Sequence, residues 1–184
     1  MGVKRALIKS SIDLQVYGNS FTSVHLPFKR YLKCEKCGFK KSAASMEFKY
    51  NPNKAIFKHE CEDCGYKGNS TVVDTLQLSP EDINIIRWDP KLIQVNYNSI
   101  TNECEYYLQI PSSLKSKVQG GDKHLVTTLP LPLLETIANG ELFKFNKDEL
   151  FHMRADSPAG VESGWGYPPL ITCMPLFYHA SVLR

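Results

Sequence analysis

The chain has 184 residues, 42% of them hydrophobic and 22% charged, with a formal net charge of +3 at pH 7. This is a globular composition without the low hydrophobicity and high charge of a disordered chain. No apolar run approaches the roughly 20 residues that cross a bilayer as a helix. The length allows one ordinary domain plus a small module, and so mild a net charge carries no argument about nucleic acid on its own.

In chain order, Val3, Leu7, Ile8, Ile12 and Val16 recur at helical spacing, which predicts an opening helix. Tyr17-Gly18-Asn19 ends it, with glycine as the usual residue after a helix. Ser20 to Leu26 reads as a strand with Phe21, Ser23 and His25 on one face, and Pro27 to Arg30 leads out of it.

Cys34-Glu-Lys-Cys37-Gly38 and Cys61-Glu-Asp-Cys64-Gly65 are then two Cys-x-x-Cys-Gly knuckles. Two cysteines three positions apart in a tight turn can face one ion, and four sulfurs make the closed tetrahedral shell of structural zinc. Met46 to Tyr50 alternates apolar and polar residues, Asn51 to Lys54 is a turn signal, and Ala55 to His59 reads as a returning strand. The arm between the pairs is therefore a hairpin that folds one knuckle onto the other. A redox Cys-x-x-Cys would open a helix in a βαβ unit, which surrounds neither pair, and disulfides would need an oxidising compartment. The expected cofactor is one structural Zn²⁺ on Cys34, Cys37, Cys61 and Cys64. His59 is a minor competitor as a ligand. A chain without an apolar leader segment is expected to stay in a reducing cytosol. Cys104 and Cys173 lack metal spacing and are expected to be small buried hydrophobes.

Over residues 29–68 there are ten Lys or Arg against five acids. The plain reading is a solvated hairpin face. The sharper one is a surface for phosphate or an acidic partner, with Lys36, Lys40, Lys41, Lys49, Lys54 and Lys58 as candidate contacts.

Thr71 to Leu78, Ile83 to Trp88, Leu92 to Tyr97 and Cys104 to Ile110 read as further strands, the last two as a hairpin, with Ser79-Pro80-Glu-Asp as a turn. The ribbon is thus inserted between strands of one sheet. Pro111 to Val118 predicts a short helix, His124 to Leu129 an extended segment, and Leu131 to Ala138 a helix closed by Asn139-Gly140. Leu142 to Phe145 and Leu150 to Arg154 are short edge strands around a turn. Residues 155–169 form a loop in which Trp165, between two glycines, serves as a packing anchor. Leu170, Met174, Phe177, Tyr178 and Leu183 predict a final helix, interrupted by Pro175, whose pattern is expected to continue in a longer protein.

The five histidines are scattered, and neither His-Glu-x-x-His nor Gly-x-Ser-x-Gly occurs. No nucleophile is paired with a base, so the sequence gives no warrant for an enzyme and none for a small-molecule substrate.

Several passages, in order, resemble one family. Val16-Tyr17-Gly18-Asn19-Ser20-Phe21 after a helix resembles the helix-to-strand turn of tailed-phage portal proteins. Asp148 to Arg154, then Ser157-Pro-Ala-Gly160, then Gly164-Trp165-Gly166-Tyr-Pro168-Pro169-Leu170, is similar to the passage that precedes a helix in those portals. Trp88 to Ile93 with the Tyr106-Tyr107 strand resembles their wing sheet. The resemblance implies a structural subunit of a homo-oligomeric ring at one capsid vertex, through which a terminase motor passes viral DNA. Its partners would be its own copies and other capsid or packaging proteins, with no membrane. It would reside in the virion and, during assembly, in the host cytoplasm. The resemblance covers a wing region, so stem and clip are expected beyond Arg184, and the cysteine ribbon departs from the common pattern. The competing expectation is a stand-alone zinc-ribbon module for nucleic acid or a protein, with Phe39, Phe48 and Tyr50 beside the lysines. In either case the expected fold is α+β. A mostly antiparallel sheet with flanking helices spans 1–29 and 69–184, and a zinc-ribbon hairpin is inserted at 30–68.

Overall fold

The computed structural model describes residues 3–76, 79, 83–155 and 164–182. The expected turn residues Pro80 to Asp82, the strand end at Gln77 and Leu78, and Ser157 to Gly160 of the portal-like passage lie outside the described residues.

The fold is α+β with antiparallel sheets and flanking helices. Its elements in order are α1 (Val3–Tyr17), β1 (Asn19–His25), β2 (Phe28–Cys34), β3 (Lys40–Ser42), β4 (Lys49–Asn51), β5 (Ile56–Glu60), β6 (Lys67–Leu76) and β7 (Asn84–Trp88). There follow β8 (Ile93–Asn98), β9 (Glu103–Leu108), α2 (Ser112–Gln119), α3 (Lys123–Thr128), α4 (Leu131–Asn139), β10 (Phe143–Lys144), β11 (Phe151–Arg154) and α5 (Met174–Val182). Three sheets replace the expected one, in the orders β11-β1-β7, β10-β9-β8 and β3-β2-β6-β5-β4.

The chain divides into two compact units. One comprises residues 1–25, 84–109 and 144–184, the other 26–83 and 110–143. His25 pairs with Asn84, so residues 26–83 leave and return between hydrogen-bonded neighbours of one sheet. The zinc-ribbon insertion expected over 30–68 is part of this larger second unit, for a reason visible in the pairing. β6 bonds to β2 along Phe28↔Leu76 through Cys34↔Ser70 and to β5 along Phe57↔Ser70 through Glu60↔Lys67. Residues 67–76 are therefore the centre of the ribbon's sheet and cannot belong to another.

In the first unit, α1 lies against β1 and β7. Its buried side is Ala6, Ser10 and Asp13, and Asp13 forms a bidentate ion pair with Arg87. The apolar stripe that marks the helix in sequence points outward instead, with Leu7 58%, Ile8 53% and Ile12 55% exposed. Phe21 is fully buried and stacks on His152 at 4.3 Å between ring centres, with Trp165 edge-on at 5.8 Å. The packing expected of Trp165 is present.

In the second unit, alternate strand residues Arg30, Leu32, Cys34, Phe57, His59 and Ser70 are buried, and α3 packs on β2. Of the segment 124–129, expected to be extended, residues 124–128 are helical and Leu129 alone keeps an extended backbone. Asp122 caps the helix by accepting from the Leu125 amide, and the hydroxyls of Thr127 and Thr128 bond back to carbonyls one turn earlier. The cap offsets the strand preference of Val and Thr, while the back-bonds only satisfy the two hydroxyls. Gly140 closes α4 at φ 75°, a left-handed conformation that suits glycine.

Candidate metal centre

The two knuckles fold identically because each has the same short-range bonds. Gly38 N donates to Cys34 O at 3.0 Å and Cys34 N to Phe39 O at 2.8 Å; Gly65 N donates to Cys61 O at 2.9 Å and Cys61 N to Tyr66 O at 2.9 Å. Closing each turn this way needs a positive φ, which Gly38 (78°) and Gly65 (68°) supply. Cys34 ends β2, which pairs with β6, and β6 pairs in turn with β5, which leads into Cys61. The sheet thus delivers both turns to one end.

All four sulfurs lie within 4.8 Å of one another. Cys34 Sγ is 3.8 Å from Cys64 Sγ, and Cys37 Sγ is 3.5 Å from Cys61 Sγ. A tetrahedron with metal–sulfur bonds of about 2.3 Å has edges of about 3.8 Å, so the spacing fits a four-thiolate ion site. Cys34 and Cys61 are buried, while Cys37 and Cys64 stand at the exposed rim. The thiols are poised unequally. The Cys37 amide directed at Cys34 brings its thiol down to about 7. Cys37 is pushed up to about 12, because desolvation and the neighbouring Cys64, Cys61 and Cys34 sulfurs outweigh the Phe39 amide that favours its thiolate. A cation among the four sulfurs removes that mutual opposition.

His59 is not a fifth candidate. It is buried on the sheet's inner face with Nδ1 2.5 Å from Ser70 Oγ. Cys104 and Cys173 are half-buried rather than enclosed as expected, since each sits at an element's edge.

Of the candidate contact lysines, Lys40, Lys49 and Lys58 lie on the outer face of the sheet. Lys41 turns to the other face and is held by Glu62 at 2.6 Å and 2.7 Å. Lys36 belongs to the first knuckle and Lys54 to the turn before β5, off the strands. Sequence proximity grouped these six; the register divides them.

A second cluster, in the first unit, brings together residues far apart in sequence. Asn19 accepts from Gly166 N at 2.8 Å and donates to Gly166 O at 3.2 Å, and its Oδ1 is 3.0 Å from His152 Nε2. Ala155 N donates to Gly18 O at 2.8 Å. Burial, with help from the Arg154 charge, lowers His152 to about 4, so its ring is neutral. Sequence reasoning identified Gly18, Asn19 and Gly166 only as parts of separate passages, and their mutual bonding has no local signal. It also passed over Arg30, buried with Nε 2.8 Å and Nη2 2.6 Å from the Asp74 carboxylate and Nη1 2.6 Å from Val126 O.

Among the described residues, no helix is long and apolar enough to cross a membrane. Compared with family models, curated proteins and solved structures, the chain matches none of them.

Proposed function

We propose that the protein is a structural subunit of a tailed-phage portal vertex, part of the ring through which DNA is packaged and ejected, and that its cysteine cluster carries one structural Zn²⁺. The observation that carries the portal reading is the junction at Asn19. Of the passages that resemble portals, 16–21 lies more than a hundred residues before 148–154 and 164–170, yet Asn19 bonds there to His152 of the one and to Gly166 of the other. Passages that act as one structural unit are what a shared fold requires, whereas chance likenesses have no reason to meet.

The outward stripe of α1 and the exposed Met174, Leu176, Phe177 and Tyr178 of α5 add support, since so much apolar surface suits a subunit covered by neighbouring copies. On this reading the protein acts by assembly, with other copies and capsid or packaging proteins as partners, in the virion and in the host cytoplasm beforehand. The zinc reading rests on four thiolates at tetrahedral spacing with no position left for a substrate, which makes the ion a staple. Negative-stain electron microscopy of the protein expressed from its complete reading frame tests the assembly: closed rings with a central channel support it, and a discrete monomer refutes it.

A further inference from the structure

The pairing of β2 to β6 places fifteen strand residues on the outer face of the five-stranded sheet. Six are lysines, Lys29, Lys33, Lys40, Lys49, Lys58 and Lys67, and one is an acid, Glu60. All six lysines are exposed. Lys67 pairs with Glu60 at 3.0 Å, and Lys40 lies over the Tyr31 ring at 4.3 Å. Lys29, Lys33, Lys49 and Lys58 have no hydrogen-bond or ion-pair partner among the described residues. Elsewhere the lysines with acids in reach use them, as Lys41–Glu62, Lys144–Glu105 and Lys147–Glu103 do.

The register points to a ligand independently of the charge count. Lys33 faces Lys40 directly across β2 and β3, and Lys49 faces Lys58 across β4 and β5. Like charges directly opposed on neighbouring strands oppose folding. Lysines on the edge strands β3 and β4 also discourage edge-to-edge association, but Lys33 and Lys58 lie on interior strands, where that role is absent.

We propose that this lysine face is a docking surface for the phosphate backbone of nucleic acid. Five strands at about 4.8 Å spacing give a basic face about 19 Å wide, a distance over which duplex DNA carries about eleven phosphate charges. The face presents ammonium point charges and no guanidinium forks, since Arg30 is on the buried side. Point charges suit sequence-independent contact with a continuous polyanion better than recognition of a particular carboxylate motif. This inference does not rest on the portal reading, because the face belongs to the cysteine sheet and its binding is measured without ring formation.

The test is fluorescence anisotropy of the full 184-residue chain, zinc-loaded, with a labelled duplex of about thirty base pairs. Four unpartnered lysines give a slope of about −3.6 in log affinity against log salt, which is on the order of a hundredfold loss between 50 and 200 mM. Lys33→Glu with Lys58→Glu is expected to weaken binding at least tenfold at low salt and to flatten the slope by about 2. Each new glutamate faces a lysine across the strands, so the variant keeps its fold, which its zinc content verifies. Lys115→Glu with Lys117→Glu, an equal charge change on α2, is expected to bind with the flat, nonspecific loss of a distant charge. No binding at 50 mM salt, equal loss in both double variants, or equal affinity for poly-glutamate of matched charge each overturns the proposal.

Discussion

Replacing Gly166 with alanine tests whether the junction at Asn19 holds the first unit together. An added Cβ would collide with the Gly18 carbonyl oxygen and come within 2.8 Å of both N and O of Ala155, all of them backbone atoms with no side-chain freedom to yield. Opening the junction enough to admit the methyl group breaks the Ala155 N–Gly18 O bond and the Gly166 N–Asn19 bond, both 2.8 Å. Two part-buried hydrogen bonds at about 1 kcal/mol each, added to about 1–3 kcal/mol for overpacking, give a loss of about 3–5 kcal/mol. Both tryptophans of the chain, Trp88 and Trp165, lie in this unit, so urea unfolding followed by tryptophan fluorescence reports it directly. A midpoint equal to that of the unsubstituted protein would refute the reasoning.

Three further outcomes are expected. Arg30→Met leaves Asp74 and Val126 O without their partner inside the second unit, at a cost of about 3–5 kcal/mol, whereas Arg30→Met with Asp74→Leu recovers most of it; urea unfolding followed by far-ultraviolet circular dichroism measures both. His152 is held neutral with its folded value below its unfolded one, so its contribution is intact above about pH 6.5 and is lost as the pH falls toward 4. Wild-type stability should therefore drop by about 2 kcal/mol over that window, discounted for partial exposure, more than His152→Gln does, and parallel profiles in urea titrations would contradict it. Elemental analysis should find one zinc per chain and, in Cys61→Ser, a loss of most of it, with metal-free yet fully protected knuckles as the contrary result.

What was legible in the sequence is what is local. Each knuckle is closed by bonds reaching four or five residues, so Cys34 to Phe39 and Cys61 to Tyr66 announce themselves by spacing and glycine alone. Most strands and α1, α2 and α4 follow from period and turn residues for the same reason. Residues 124–128 read as extended because Val and Thr favour strands, while the deciding contribution is the capping bond that the Leu125 amide donates to the Asp122 carboxylate. The single sheet was wrong because nothing in residues 71–76 tells whether they join β1 or β2; that depends on pairing 44 residues away, at Arg30↔Asp74. The lysine face was half visible. Lys40, Lys49 and Lys58 were named, but Lys29, Lys33 and Lys67 join them only once strand parity is known. The α1 stripe gave the helix correctly and its orientation not at all, since periodicity reports that one side differs without saying which side is covered.

These differences in reach bear on what metal loss should do. The middle of the cysteine sheet has its own support: Leu32 and Phe57 are fully buried, and Arg30 ties β2 to β6 and to α3. The tips have none of this, since residues 35–37 and 62–65 are exposed and only two cysteines there face inward. On the zinc reading the ion adds to the knuckle hydrogen bonds and the Lys41–Glu62 pair at the tips and contributes little to the sheet, so the loosening on chelation should be confined to about 35–41 and 61–67 instead of spreading over the hairpin from 30 to 68. Amide exchange resolves the two cases. Phe57 and Leu32 should stay protected in zinc-free protein while the Gly38, Phe39, Gly65 and Tyr66 amides become open, and simultaneous loss of protection at both sets would mean that the metal holds the whole sheet.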